Sequence, residues 1–322
     1  MKFRSVVAAS ATAALAIGGV TLLATPAQAD LVTMCSGHGG SVTLPTDLAV
    51  PTGENCYLDG TVVQGDVTVN EGANLHIVGG EIEGEVTVEP GGYFDSSDSS
   101  LAGEVVNKGS YGTYLEDSTG EGLNAVPAEG ADNNGFVYVI DSSIGSVAAE
   151  VGGVYVSGTR ISEGVESDGA EYTDIVDSVL RGDLTVDGSQ SGGVLCDSEV
   201  LGAVSYTGGT GPVAVGAGAQ EGFCTSVNYI DGDLTVTGVS GGAYIDNNII
   251  GGALVTAENS PVAEIGDNNR VRGGVDTEEV ALSTFGADVI EEFEVHEAEL
   301  DAEVEELRSE TIEEALEAGP AF

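Results

Sequence analysis

Apolar and polar residues alternate in short runs from residue 58 onward, and each run ends at a turn rich in Gly, Asp, Asn or Ser. The runs 67–69 and 86–88, both Val-Thr-Val, show the pattern. Alternation with a period of two predicts β-strands that bury one face. Apolar residues at helical spacing occur only near the C-terminus.

The strands recur at a nearly fixed interval along the chain. Gly65, Gly84 and Gly103 each precede an acidic residue and a strand, and they lie 19 residues apart. Later steps stay between 18 and 23 residues, except for one anomalous step of 30 that contains Cys224. A unit of about 20 residues cannot bury its own apolar face, so successive units must stack.

The repeat therefore predicts an all-β fold, a single-stranded right-handed parallel β-helix of about eleven short coils over residues 58–290. A β-sandwich is the structural alternative, but it would show longer strands and no fixed glycine register. The exposed end strands of a β-helix pair readily with other chains. We expect a Cys-containing N-terminal cap over residues 30–57 and an acidic C-terminal helix or tail over 291–322.

The C-terminal segment is rich in Glu and carries apolar residues at near-helical spacing. We expect this helix to cover the last coil. Recruitment of a partner is the alternative. The apolar positions are Leu300, Val304, Leu307, Ile312 and Leu316.

The first 29 residues have the features of a signal peptide. Lys2 and Arg4 precede an apolar run, and Ala27-Gln28-Ala29 forms a small-x-small cleavage site. We therefore expect a secreted, extracellular protein that can remain associated with the cell surface. Since the mature chain has no second long apolar run, we expect no membrane span in it.

Four cysteines in an exported chain predict two disulfides, for which three pairings exist. We favour Cys35–Cys56 and Cys196–Cys224, because each pair brackets a local segment. The first bond would close the N-terminal cap. The second would staple the long step of the repeat.

Charge narrows the range of partners. The full chain carries a net charge of −46, and loss of two cations with the signal peptide brings this to −48. Such a surface repels nucleic acid, so we expect no nucleic-acid partner. Solubility explains the charge, and attraction of cations is the alternative.

Aspartates recur near one position of the repeat, and a Ser or Asn follows each of them. Turn chemistry explains this, because Asp, Asn and Ser bond their own backbone and tolerate left-handed conformations. Cation binding is the second explanation, with Ca²⁺ as the candidate ion and no cofactor required. The candidate metal ligands are Asp98, Asp117, Asp141, Asp177, Asp197, Asp246 and Asp267.

The run Asp246-Asn247-Asn248-Ile249-Ile250-Gly251 resembles the repeats of secreted right-handed parallel β-helix (β-solenoid) proteins of high-GC Gram-positive bacteria. The resemblance implies the architecture over roughly residues 58–280. It implies no activity, because many of those proteins are uncharacterised. The coil period is also similar to that of bactofilins, which polymerise end to end but lack signal peptides.

Two classes of function fit this pattern. The first is a non-catalytic exported β-solenoid with a structural, adhesive or binding role at the cell envelope. Its partner would be a cell-surface glycan, a protein or a second copy of the chain. The alternative is a polysaccharide lyase or glycoside hydrolase beside the 207–224 insertion, with Asp183 and Asp233 as a candidate acidic pair.

No catalytic residue can be assigned from the sequence. His38, His76 and His296 lie far apart in the repeat register, so no nucleophile–base pair is evident. The chain also has no Trp to stack on sugars. An enzyme is therefore the less favoured class.

Overall fold

The computed structural model describes residues 31–216, 224–278 and 287–322, and for residues 287–301 it describes the backbone alone. The predicted signal peptide, residues 1–29, lies outside the described residues. So does part of the 207–224 insertion.

The described chain winds as a right-handed parallel β-solenoid of about 13 turns, which confirms the predicted fold class. Short strands form three faces, and each strand pairs in parallel with the equivalent strands of the coils before and after it. Two longer strands, Thr119–Val126 and Ser143–Ala149, run across faces three and one without a break.

The strands of face one share pairing with the first ladder of the rod. They are Val32–Met34, Asp47–Val50, Val67–Val69, Val86–Val88, Val105–Lys108, Thr119–Val126, Ser143–Ala149, Val165–Asp168, Leu184–Asp187, Val204–Thr207, Leu234–Thr237, Leu254–Ala257 and Val275–Asp276.

The strands of face two form a separate sheet. They are Gly37–Gly39, Asn55–Asp59, Asn74–Val78, Tyr93–Ser97, Gly112–Glu116, Phe136–Ile140, Gly153–Ser157, Tyr172–Val176, Gly192–Cys196, Val213–Val215, Ala243–Ile245 and Glu264–Ile265.

The strands of face three are the shortest, apart from the two that continue into face one. The others are Thr43–Leu44, Val62–Val63, Glu81–Ile82, Ser100–Leu101, Arg160–Ile161, Val179–Leu180, Glu199–Val200, Asn228–Ile230, Asn248–Ile250 and Arg270–Val271.

The segment 30–57, predicted as a cap, already follows the coil register. Leu48 is aligned with Val67, and Cys56 with Leu75, so this segment contributes strands to all three faces. The rod therefore has more turns than the eleven that the marker glycines indicate. Both favoured disulfides are present: Cys35–Cys56 joins the first two coils, and the second pair is Cys196–Cys224.

Aliphatic side chains fill the interior, and a polar ladder runs beside them at the corner between faces two and three. Ser118 N–H donates to Ser142 Oγ at 3.0 Å, and Ser142 N–H donates to Thr159 Oγ1 at 3.2 Å. Each hydroxyl also donates to the carbonyl two residues earlier, as Ser142 does to Ile140 O at 2.7 Å. The ladder satisfies backbone groups that the turn would otherwise leave unpaired inside the rod. Its members are Ser99, Ser118, Ser142, Thr159, Ser178, Ser198, Asn228, Asn248 and Asn269.

The C-terminal helix, α1 (Ala287–Ala318), is present as predicted, but its predicted position is wrong. It packs against the early strands of face two, including Gly37–Gly39 and Asn55–Asp59, so it covers the first coils and not the last. Val304, Thr311 and Ala315 are buried against the rod, while Leu316 is 51% exposed. Small side chains face the rod here because α1 approaches closely. A Cβ on Gly37 would lie 2.2 Å from Gly319 O.

After α1 the chain adds itself to the first strand of face two. His38 N–H donates to Gly319 O, and Ala321 N–H donates to His38 O, both at 2.9 Å. The ring of Phe322 lies over Gly39, where a Cβ would be 2.5 Å from it. We call residues 319–322 the latch, because they cover the strand edge that starts the rod. In the described part of the chain, no helix has the length and apolarity needed to cross a bilayer.

Candidate functional site

The aspartate turn row lies at the corner between faces two and three. Asp98, Asp117, Asp141, Asp177 and Asp197 all adopt left-handed backbone conformations, with φ between 45° and 52°. This is the conformation that turn chemistry requires and that Asp tolerates better than most residues.

The row is not a continuous ladder of carboxylates. Gly158 stands between Asp141 and Asp177, and a Cβ on Gly158 would lie 2.1 Å from Asp141 Oδ1. Asp197 accepts hydrogen bonds from Ser226 N–H at 2.6 Å and Thr225 N–H at 3.2 Å, which ties down the chain after the insertion.

The last two candidate ligands, Asp246 and Asp267, lie one residue before the turn row. Asn247, with φ 59°, takes the turn position there, and Asp246 accepts two hydrogen bonds from Asn268 at 2.8 and 2.9 Å. Within the described residues, no three histidine, cysteine or carboxylate side chains converge as metal ligands would. Cation binding by the row stays a prediction.

The candidate acidic pair of the enzyme hypothesis lies at another corner, between faces three and one. Asp183 Oδ1 accepts Ala203 N–H, and Asp233 Oδ1 accepts Ala253 N–H, each at 2.7 Å. Both carboxylates therefore hold the next coil in place.

The histidines are not brought together. His38 lies in the first coil beneath the latch, and His76 is buried beneath α1. The side chain of His296 lies outside the described residues.

A charged cluster joins α1 to face two. Asp95 is 0% exposed and accepts hydrogen bonds from Arg308 Nε at 2.8 Å, Arg308 Nη2 at 3.0 Å and the Tyr93 hydroxyl at 3.0 Å. Arg308 also pairs with Glu116 at 3.0 Å and lies 5.0 Å from the ring centre of Tyr114. Because the geometry is bidentate and the site is mostly buried, this cluster positions α1 specifically.

Next to this cluster, His76 has two buried ring nitrogens without a hydrogen-bond partner. Its Nε2 lies 3.7 Å from Asp95 Oδ1. Burial lowers the pKa of His76; the charge of Asp95 opposes this shift, and that of Arg308 adds to it. The neutral imidazole is therefore the form that α1 covers.

A groove opens at the corner between faces one and two, where the loop 127–135 projects from the rod. Its main cavity measures about 590 Å³ and is lined by Tyr111, Phe136 and Tyr172, by α1 through Glu303, and by the loop. Stacked turn glycines at 72, 91 and 109 also line it, and their lack of side chains leaves space beneath the loop. Asn133 shapes the loop through hydrogen bonds between its side chain and the backbone of Ala128.

The aromatic wall of the groove depends on an alternation of large and small residues along face two. Phe136 lies over Gly112, where a Cβ would be 2.4 Å from its ring, and Tyr172 lies over Gly153 in the same way at 2.1 Å. Tyr111 is 40% exposed and meets Phe136 edge-on at 5.8 Å. The groove thus presents one exposed ring supported by buried rings.

The polar groups of the groove are mainly carboxylates. Glu71, Asp132, Glu171 and Glu303 line it, and no Lys, Arg or His is among its lining residues. The Tyr111 hydroxyl donates to Glu303. Burial and this hydrogen bond raise the pKa of Tyr111 to about 12, so the phenol stays neutral and keeps its proton.

A second cavity of about 440 Å³ lies on the other side of the loop. Asp132, Asn133, Asn134 and Glu171 line both cavities, and Gln190 lines the second alone. The two cavities therefore form one elongated site that the loop divides.

The sequence interpretation missed this groove. Its signal was the step of 23 residues between Gly122 and Gly145, four more than the neighbouring steps, which contains the loop. The alternation of Tyr93, Phe136 and Tyr172 with glycines of intervening coils was a second signal.

Comparison of the chain with protein-family models, with curated proteins and with solved structures gave no match. The groove and the α1 cluster are therefore interpreted from their own chemistry.

Proposed function

We propose that the protein is an exported, non-catalytic β-solenoid that acts as a rigid binding or spacer rod in the cell envelope or the extracellular space. The observation that carries this proposal is the use of its aspartates. The turn row holds left-handed corners, and Asp183 and Asp233 bond to the next coil. Carboxylates bound in this way stabilise the rod and are poorly placed to move protons on a substrate.

Two further features support an extracellular rod. Two disulfides are typical of exported proteins, where thiols oxidise. The latch covers the first strand edge with the chain's own C-terminus, so this end offers no open edge for stacking. The surface of the rod is then the part that meets a partner.

The test is a set of depolymerisation assays on pectate, alginate and related glycans with the mature protein. We expect no new reducing ends and no unsaturated products. Release of products that is lost in Asp183→Asn or Asp233→Asn would establish the enzyme alternative. Fractionation of the producing cells, with detection in medium and envelope fractions, tests the location.

A further inference from the structure

We infer that the groove beside the loop 127–135 binds an oligosaccharide of amino sugars with free amino groups. This deepens the proposed function, because it names the ligand class of the rod and rests on its non-catalytic role. Three properties of the groove carry the inference: its charge, its exposed ring and its length.

The charge selects a cationic ligand. Four carboxylates line the two cavities without a neighbouring cation among the lining residues, and the whole chain adds a strong negative field. Like charges that are held close together are relieved by a bound cation. An ammonium group is such a cation, and it is small enough to lie between Glu71 and Glu303 or beside Asp132 and Glu171.

The ring selects a sugar body. Tyr111 is the exposed aromatic residue of the groove and is held in place by Phe136 and by its hydrogen bond to Glu303. A fixed aromatic ring packs against the C–H face of a pyranose and also attracts a cation. The exposed amides Asn134 and Gln190 supply donors and acceptors for hydroxyl groups.

The length selects an oligomer. The cavities of about 590 and 440 Å³ each lie in the size range of a small-ligand site, and the loop residues 132–134 line both. A linear ligand that crosses the loop contacts both cavities, whereas a single sugar fills one. Successive amino sugars would place one amine in each acidic cavity.

Calorimetric titration of the mature protein with glucosamine oligomers of two to six units tests the inference. Affinity should increase up to the length that spans both cavities and should weaken as salt rises, because the contacts are charged. Fully N-acetylated oligomers, which are neutral, should bind about tenfold more weakly or less, and oligogalacturonate should not bind. Mass spectrometry of the ligand after each titration checks for cleavage.

Matched variants separate the groove from the general negative charge. Tyr111→Ala and Asp132→Asn should each weaken binding about tenfold, whereas Tyr111→Phe, which keeps the ring, should bind nearly as the parent does. Glu199→Gln removes one exposed carboxylate from face three and should leave affinity unchanged. Circular dichroism and melting curves verify that each variant is folded.

The outcomes are distinct. If glucosamine oligomers bind equally well to Tyr111→Ala, Asp132→Asn and Glu199→Gln, the binding is diffuse and the assigned site is wrong. If no oligomer binds, the ligand assignment is wrong, but the non-catalytic rod is unaffected. If oligomers bind in the groove and are cleaved, the proposed function fails and the site assignment stands.

Discussion

Replacement of Arg308 by Met should release α1 from the rod. Asp95 is 0% exposed, and Arg308, with a side chain 17% exposed, donates two hydrogen bonds to it. Removal of one partner of a buried pair leaves an uncompensated charge and costs about 3–5 kcal/mol. Because Arg308 keeps some contact with solvent, we expect the lower end, about 3 kcal/mol, in the docking free energy of α1.

Hydrogen exchange of the amides of residues 302–318, followed by mass spectrometry, measures this docking directly. A loss of about 3 kcal/mol corresponds to exchange faster by roughly a hundredfold. Arg308→Lys keeps the charge but not the planar fork, so its effect should be intermediate. Glu305→Gln, on the exposed side of α1, is the matched control and should change the exchange very little.

A double-mutant cycle tests the cause. Asp95→Asn with Arg308→Met removes both charges, and the double variant should recover most of the lost docking. The reasoning is refuted if Arg308→Met accelerates exchange less than about threefold. The pair would then behave like an exposed salt bridge, which contributes about 0–1 kcal/mol.

Other predictions concern the ladder, the latch, the buried histidine and the cation hypothesis. Ser142→Ala leaves an inter-coil N–H without its acceptor and should cost about 1–3 kcal/mol in denaturant unfolding. The exposed neighbour variant Ser143→Ala should stay within about 0.5 kcal/mol. Deletion of residues 319–322 should produce oligomers in sedimentation velocity, and Ala321→Pro, which removes one N–H, should do so more weakly; monomers in both would contradict the role of the latch. Burial holds the pKa of His76 below 6.5, so the folded protein binds its proton less readily than the unfolded chain does. Stability should therefore fall as the pH drops through about 6.5, and His76→Phe should fall less; identical pH profiles would contradict this. If the aspartate turn row binds Ca²⁺, millimolar Ca²⁺ should raise the Tm relative to EDTA, and an unchanged Tm leaves turn chemistry as its role.

The fold could be predicted because its information is local and repeated. Alternating valines and recurring glycines fix the strand, the turn and the step of 19 residues, and every coil repeats them. The disulfides followed from spacing alone, since each pair lies near one coil period apart. The number of turns was underestimated because the first coils lack the Gly-acid marker while keeping the same register, as Leu48 and Val67 show.

The position of α1 could not be predicted, because it depends on contacts between distant parts of the chain. Nothing near Arg308 in sequence indicates Asp95, which is 213 residues away. The periodic leucines also pointed to the wrong side of the helix. Close approach to Gly37 favours Thr311 and Ala315 at the interface, so Leu316 is left exposed.

The same close contacts explain how a rod with open-ended geometry remains a single molecule. A parallel solenoid adds coils without a geometric limit, so each end must be blocked by something that does not repeat. At the first coil this is the latch, which satisfies His38 in both directions but presents Pro320 and the bulky Phe322 in place of a further coil. Proline has no N–H to donate, and the acidic α1 beside it repels another copy of the same charge. Blocking at this end therefore depends on α1 staying docked, which makes Arg308 and Asp95 the residues that couple helix docking to assembly.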